Sequence, residues 1–318
     1  SKGECILMRK QTKIAIGLSV AALSVIGASF AASAATGWVQ EGSDWYYVDN
    51  NGDHVTDKWK SYNGTYFYLG GDGAMLTNQL IEDGDNHYYV DANGAMVKNT
   101  WVAIAADEDE EYDVDYRWYY FGSTGKAYKD SVSKTINGKK YGFDTDGKML
   151  FGFVDNNKSM INNDEDAILN CDYYFGTNDD GARTAGWLQY VDGVNNDDYE
   201  NDEYLWFYFK SNGKKVSGEK KTINGKQYVF DDNGVMGSSF KSASISGKTG
   251  TAYFGAKSDG SLAKNAWIWA VPNKDLVALY SDLQDDKDND EYRWFRSDAS
   301  GNLIIGKTQK VNGKWYVF

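Results

Sequence analysis

Aromatic side chains recur in this chain at a spacing that marks binding rather than turnover. Trp38, Trp59 and Trp101 stand at multiples of 21 residues, with Leu80 filling the place between the last two. Trp45, Tyr66 and His87 follow seven positions behind the first three heads, and Gly52, Gly73 and Gly94 close the copies. An unbroken short period is the mark of a repeat architecture, in which each unit packs on its neighbours. The copies are aromatic where an ordinary core uses Leu, Ile and Val. That combination points to a row of small binding sites rather than to one active site.

Little else in the chain can do chemistry. The two histidines, His54 and His87, are tied to no serine or cysteine by any motif and lack zinc-ligand spacing. The 46 acidic residues are so many that some pair always falls at glycosidase distance, so that signal carries no weight. Cys171 lies beside Asp172, in acidic surroundings that raise a thiol pKa, and reads as an inert thiol rather than a nucleophile. Asp286-x-Asp288-x-Asp290 begins like a calcium loop, but Glu291 stands where the turn glycine is needed. No catalytic residue, metal site or cofactor is expected.

The elements that position the aromatics read as β-hairpins. Trp45–Val48 is a β-favouring run, Asp49–Gly52 a turn cluster, and His54–Thr56 a return strand. The same grammar recurs to Trp294-Phe295 before Gly301, giving ten hairpins and an eleventh begun at Trp315–Phe318. A lone hairpin is marginal in water, so stacking must bury what no single copy can. Later copies are stretched between the leading aromatic and the hairpin: Trp101 to Trp118 spans 17 residues, Trp187 to Trp206 spans 19, and Trp267 to Trp294 spans 27. Acidic runs at Asp107–Asp115, Asn162–Asp166, Asn195–Glu203 and Gln284–Glu291 read as solvated loops.

Residues 1–7 precede a good start methionine, Met8, and read as untranslated leader. Residues 8–34 form a signal peptide: Arg9, Lys10 and Lys13 ahead of apolar Ile14–Phe30, then Ala32-Ser33-Ala34 as a cleavage site. Removing the leader takes Cys5 away and leaves Cys171 without a partner, so packing holds the fold. Residues 35–318 form the repeat array, regular over 37–99, carrying acidic insertions over 100–318, with the last repeat incomplete. The chain is thus expected to be secreted, with no transmembrane span after signal removal. A net charge of −13 argues against nucleic acid as a partner but not against a cationic ligand.

Gly37-Trp38-Val39-Gln40-Glu41-Gly42-Ser43-Asp44-Trp45-Tyr46-Tyr47-Val48, followed by Asn51-Gly52, resembles the choline-binding or cell-wall-binding repeat. That superfamily is similar to the glucan-binding repeats of streptococcal glucosyltransferases and the C-terminal repeats of clostridial toxins. The resemblance is specific over Gly37–Thr77 and weaker at Gly138–Met149 and Gly225–Met236. It implies an all-β fold, a β-solenoid of about eleven stacked hairpins, and ligand held in aromatic cages between consecutive hairpins by cation–π attraction. Carried over by position, the first cage comprises Trp38, Trp45, Trp59 and Tyr66, with Met75 as an apolar floor. A weaker one spans Trp59, Tyr66 and His87, while Lys140 and Gln227 have lost the cage aromatic. The resemblance implies a non-catalytic wall-binding protein of the bacterial surface, whose partner is the choline of wall teichoic acid. A surface glycan bound by an adhesin- or toxin-like module, or a purely structural spacer, is the competing reading.

Overall fold

The computed structural model describes residues 36–191, 193–199, 202–245, 248–279 and 291–318. The leader, the signal segment and the Asp286–Asp290 run lie outside them. Among the described residues the chain is nearly all β, with eleven two-stranded antiparallel sheets and two short helices, Ala167–Asn170 and Lys274–Leu279. No described helix is long and apolar enough to cross a membrane.

Two compact units divide these residues. One comprises 36–164 with Tyr173–Thr184, the other Glu165–Asp172 with Ala185–Phe318. In the first unit, hairpins one to three pair Gly37–Glu41 with Asp44–Val48, Lys58–Tyr62 with Thr65–Leu69, and Gln79–Asp83 with Asn86–Val90. Hairpins four to six pair Thr100–Ala105 with Tyr116–Phe121, Ser131–Ile136 with Lys139–Phe143, and Gly152–Val154 with Tyr173–Phe175. In the second unit, hairpins seven to nine pair Gly186–Tyr190 with Leu205–Phe209, Lys220–Ile223 with Lys226–Val229, and Ser239–Ile245 with Lys248–Phe254. The tenth and eleventh pair Trp267–Ala270 with Arg293–Arg296 and Thr308–Val311 with Lys314–Val317.

The number of hairpins is as expected; their register is not. The ladder joins the leading strand to the aromatic strand through Gly42-Ser43, not the aromatic strand to His54–Thr56. Gly42 takes φ +63°, which the tight turn needs and glycine supplies. The Asp49–Gly52 cluster does turn the chain, but the Asp49 carboxylate accepts the N–H groups of Asn51 and Asp53 and coils it into a loop. Only a single bridge, Val48 to His54, follows. The insertions therefore lengthen the hairpin tips themselves.

Consecutive hairpins are joined by one recurring backbone bond. The N–H of Met75 donates to the Trp45 carbonyl at 2.8 Å, Met96 to Tyr66, Ala127 to His87, and Met149 to Trp118. In the second unit Lys215 donates to Asp172, Met236 to Trp206, Leu262 to Gln227, and Leu303 to Thr251. Apart from the Lys215 bond, which stays within the second unit, each fixes the loop of one repeat on the aromatic strand of the repeat before it. The methionine side chains fill the space beneath. Gly94 takes φ +76°, a left-handed conformation that favours glycine, and a Cβ there would also displace the flexible Met75 side chain, whose methyl would lie 2.7 Å away.

The insertions are not simply solvated. In the fourth hairpin the Arg117 guanidinium, buried in β structure, donates to Glu110 at 2.7 Å and to the Met149 carbonyl at 3.2 Å. Tyr112 donates its hydroxyl to the Met160 carbonyl at 2.7 Å and sets its ring edge-on to Phe151. Where described, Asn195–Glu203 is also tied down: Tyr199 donates to Asp231 at 2.6 Å, and Asn195 reaches Asp166 and Glu165. Positive partners and carbonyls at the right distance outweigh the repulsion that the acidic composition suggests.

Candidate functional site

Each hairpin offers two aromatic positions with different surroundings. The leading position sits on the first strand and its ring bridges two hairpins. Trp38 packs edge-on against Tyr47 of its own hairpin at 5.6 Å and Phe67 of the next at 5.4 Å. Trp59 does the same with Tyr68 at 5.0 Å and Tyr88 at 5.1 Å, and its indole N–H donates to Asp83 at 3.1 Å. Trp101 and Trp187 repeat the arrangement with Tyr141 and Tyr228, both at 4.9 Å. These rings form the inter-hairpin core, and packing leaves only part of each ring uncovered.

The second position lies at the start of the aromatic strand, where the backbone carbonyl carries the inter-hairpin bond. Trp45 is half-buried there and Tyr66 is 44 % exposed. The Trp45 carbonyl holds Met75, so the backbone brings those two together. Among the described residues no ring contact joins Trp38, Trp45, Trp59 and Tyr66 to one another. The Lys98 ammonium lies 5.2 Å from the Tyr66 ring centroid and that of Lys60 4.3 Å from Tyr47. These rings present electron-rich faces to cations, and at Tyr66 an incoming cation meets a resident one. His87 is otherwise engaged: its Nδ1 donates to the Asp146 carbonyl at 2.7 Å, and Glu82 stands 3.8 Å from Nε2.

A set that the sequence reading did not single out lies in the tenth and eleventh hairpins. Trp267 and Trp294 meet at right angles, 6.2 Å apart, and Trp269 tilts against Trp294 at 5.1 Å. By register Trp267, Trp294 and Trp315 occupy the places of Trp38, Trp45 and Tyr66. Trp294 is 62 % exposed and Trp315 69 %. The Trp101–Trp118 corner has the same right angle but is closed, because Tyr116 covers Trp118 and leaves it 8 % exposed. Spacing hid the C-terminal set, since 27 residues replace the usual seven between Trp267 and Trp294.

Cys171 is buried, and burial, more than the adjacent Asp172 charge, pushes its thiol up to about 11. Among the described residues no group of three or more His, Cys, Asp or Glu is arranged to hold a metal.

Comparison with known proteins agrees with the resemblance drawn from Gly37–Thr77. Residues 36–53 match the family model described as a cell wall binding repeat, and residues 54–94 the model described as a choline-binding repeat. The chain is 28% identical over 201 residues to glucosyltransferase-S of Streptococcus mutans, covering 63% of this chain and 10% of that protein. It is 25% identical over 248 residues to glucosyltransferase-I of Streptococcus downei, covering 71% of this chain and 14% of that one. It therefore spans a small part of these curated relatives. Among solved structures, the modular autolysin LytC from Streptococcus pneumoniae aligns with TM-score 0.49 at 20% identity, over 89% of this chain and 51% of that one. CbpJ from the same organism aligns with TM-score 0.48 at 18% identity, over 88% and 90%. Residues 36–94 are thus repeats of the cell-wall-binding and choline-binding type.

Proposed function

We propose that the chain is a secreted, non-catalytic wall-binding module that holds choline-bearing wall polymer in its open aromatic corners. The observation that carries this reading is the contrast between filled and open corners on one repeated scaffold. Trp38, Trp59, Trp101 and Trp187 are half-buried with their rings packed on the next hairpin, whereas Trp45 is half-buried with no ring contact among the described residues, and Tyr66, Trp294 and Trp315 keep ring surface in solvent. A quaternary ammonium needs converging ring faces and no particular hydrogen-bond donor, and gains up to about 2 kcal/mol from such a site when desolvated. The acidic surface adds attraction for the cationic choline head. In this reading Trp38 and Trp59 lend edges, Trp45 lends its face, Tyr66 lends the part of its ring that Lys98 leaves open, and Met75 closes the floor of the N-terminal site.

A second reading, glycan binding, is favoured by the matches to the two glucosyltransferases. Calorimetric titration with choline and with glucose oligomers separates the two. Saturable choline binding, weakened by Trp45→Ala and by Trp294→Ala, supports the first reading. Saturable binding of glucose oligomers with no response to choline reverses the order.

A further inference from the structure

The docked insertion of the fourth hairpin encloses a cavity of about 360 Å³ away from the aromatic corners. Three loops build it: the insertion at Glu110–Tyr112, the turn at Asp144–Lys148, and the turn at Asn157–Met160. The walls are pinned before any ligand arrives. Arg117 holds Glu110, Lys148 reaches Asp107 at 3.2 Å and Glu110 at 3.4 Å, and Asn163 donates to Glu111 at 3.2 Å. Lys158 pairs with Asp130 across the rim.

The lining states what fits. Tyr112 is its one aromatic side chain, so a quaternary ammonium finds no cage here. Ammonium donors at Lys148 and Lys158 alternate with carboxylate acceptors at Glu111, Asp144 and Asp146, which suits hydroxyl groups that both donate and accept. The volume lies within the roughly 300–1,000 Å³ of small-molecule sites. Glu110 and Asp130 are matched by the three cations, while Glu111, Asp144 and Asp146 have no cation paired to them among the described residues. The cavity is therefore polar and carries an anionic surplus.

Lys158 adds an independent mark. It takes φ +69° in the turn where other repeats place Gly52, Gly94 and Gly147 at φ between +76° and +89°. A side chain is kept at a left-handed position that elsewhere has none, and it is turned into the cavity rim.

We propose that this cavity binds an amino-bearing sugar unit of a glycan, its hydroxyls meeting Lys148 and Lys158 and its ammonium group meeting Asp146 and Glu111. The site is separate from the aromatic corners, so either can fail without the other. The test titrates the full chain with a glucosamine tetramer and with a glucose tetramer, both under saturating choline. The expected result is saturable binding of the glucosamine tetramer, one per chain, with the glucose tetramer weaker. Asp146→Asn and Lys158→Gly should each weaken it by about tenfold or more, the loss of one charge-assisted hydrogen bond, with the response to choline unchanged. Lys158→Gly restores the residue that the other turns carry, so the turn itself is kept, and Asp146→Asn leaves the Lys158–Asp130 pair in place as an independent second variant. Equal binding of the two tetramers, wild-type affinity in both variants, or no saturable binding of either sugar overturns the proposal.

Discussion

Trp187→Ala tests whether the hairpins are held by their neighbours alone. The Trp187 ring touches Tyr208 at 5.0 Å and Trp206 at 6.1 Å in its own hairpin, and Tyr228 at 4.9 Å and Phe230 at 5.9 Å in the next. It closes a cluster that also holds Val216, Ile223 and Met236. Truncating a core aromatic costs about 3–5 kcal/mol, and because Trp187 is only half-buried the lower end, about 3 kcal/mol, applies. That is a large share of the roughly 5–15 kcal/mol stabilising a typical domain. In a one-dimensional array the loss stays local. Hydrogen exchange should show the Tyr228 amide, paired across the ladder, and the Met236 amide, bonded to the Trp206 carbonyl, losing protection by about a hundredfold. The Leu303 amide, bonded to Thr251 farther along the same unit, should keep its wild-type rate. Equal loss at all three amides would refute nearest-neighbour packing.

Trp294→Ala and Trp118→Ala should separate binding from folding: the first removes exposed ring surface and reduces choline affinity with little change in Tm. The second empties a buried corner and lowers Tm, both readable by calorimetry and thermal melts. Lys215→Met should destabilise the second unit by about 1–3 kcal/mol in urea titrations, because the buried Lys215 ammonium donates to the Ile168 and Leu169 carbonyls, and a thioether supplies no donor in its place, leaving Ile168 only the weak Cys171 thiol. Two turn aspartates should respond to acid with opposite signs. Backbone N–H groups of Asn51 and Asp53 hold the Asp49 carboxyl below its usual 3.8, so its contribution is full above that value and is lost as pH falls through the folded pKa. Burial raises the Asp144 carboxyl instead, so stability falls as pH rises from 3.8 through its folded value. Asp49→Asn and Asp144→Asn melts from pH 3 to pH 8 check the two slopes.

The period, the all-β class and the number of hairpins were legible because ladder positions recur with their side-chain types. The register was not. Gly42-Ser43 and Asp49–Gly52 both carry turn residues, and the second is the richer cluster. Which of them closes a ladder depends on the Asp49 side chain, which satisfies the N–H groups that a returning strand would have used. The leading rings could be read as core or as cage walls from sequence alone. Contacts such as Trp38 with Phe67 and Trp59 with Tyr88 commit most of each ring to packing. The pairing of Arg117 with Glu110 was beyond reach, because a seven-residue separation in sequence says nothing about where the tip folds back.

The tip is also the place where this scaffold can grow. Coupling between repeats runs through the second-position carbonyl, the loop N–H that it accepts, and the leading ring on the next hairpin. None of these groups lies at the tip. In the fourth hairpin an insertion leaves Trp101 paired with Tyr120 and the Met149 to Trp118 bond at 2.7 Å. Loop length adds little closure entropy, so the ladder tolerates it. What the extra residues must supply is their own anchoring, and here Glu110, Tyr112 and Asp107 do so against Arg117, Met160 and Lys148. A repeated aromatic scaffold and a tip-built polar cavity therefore coexist on one chain without competing for the same residues.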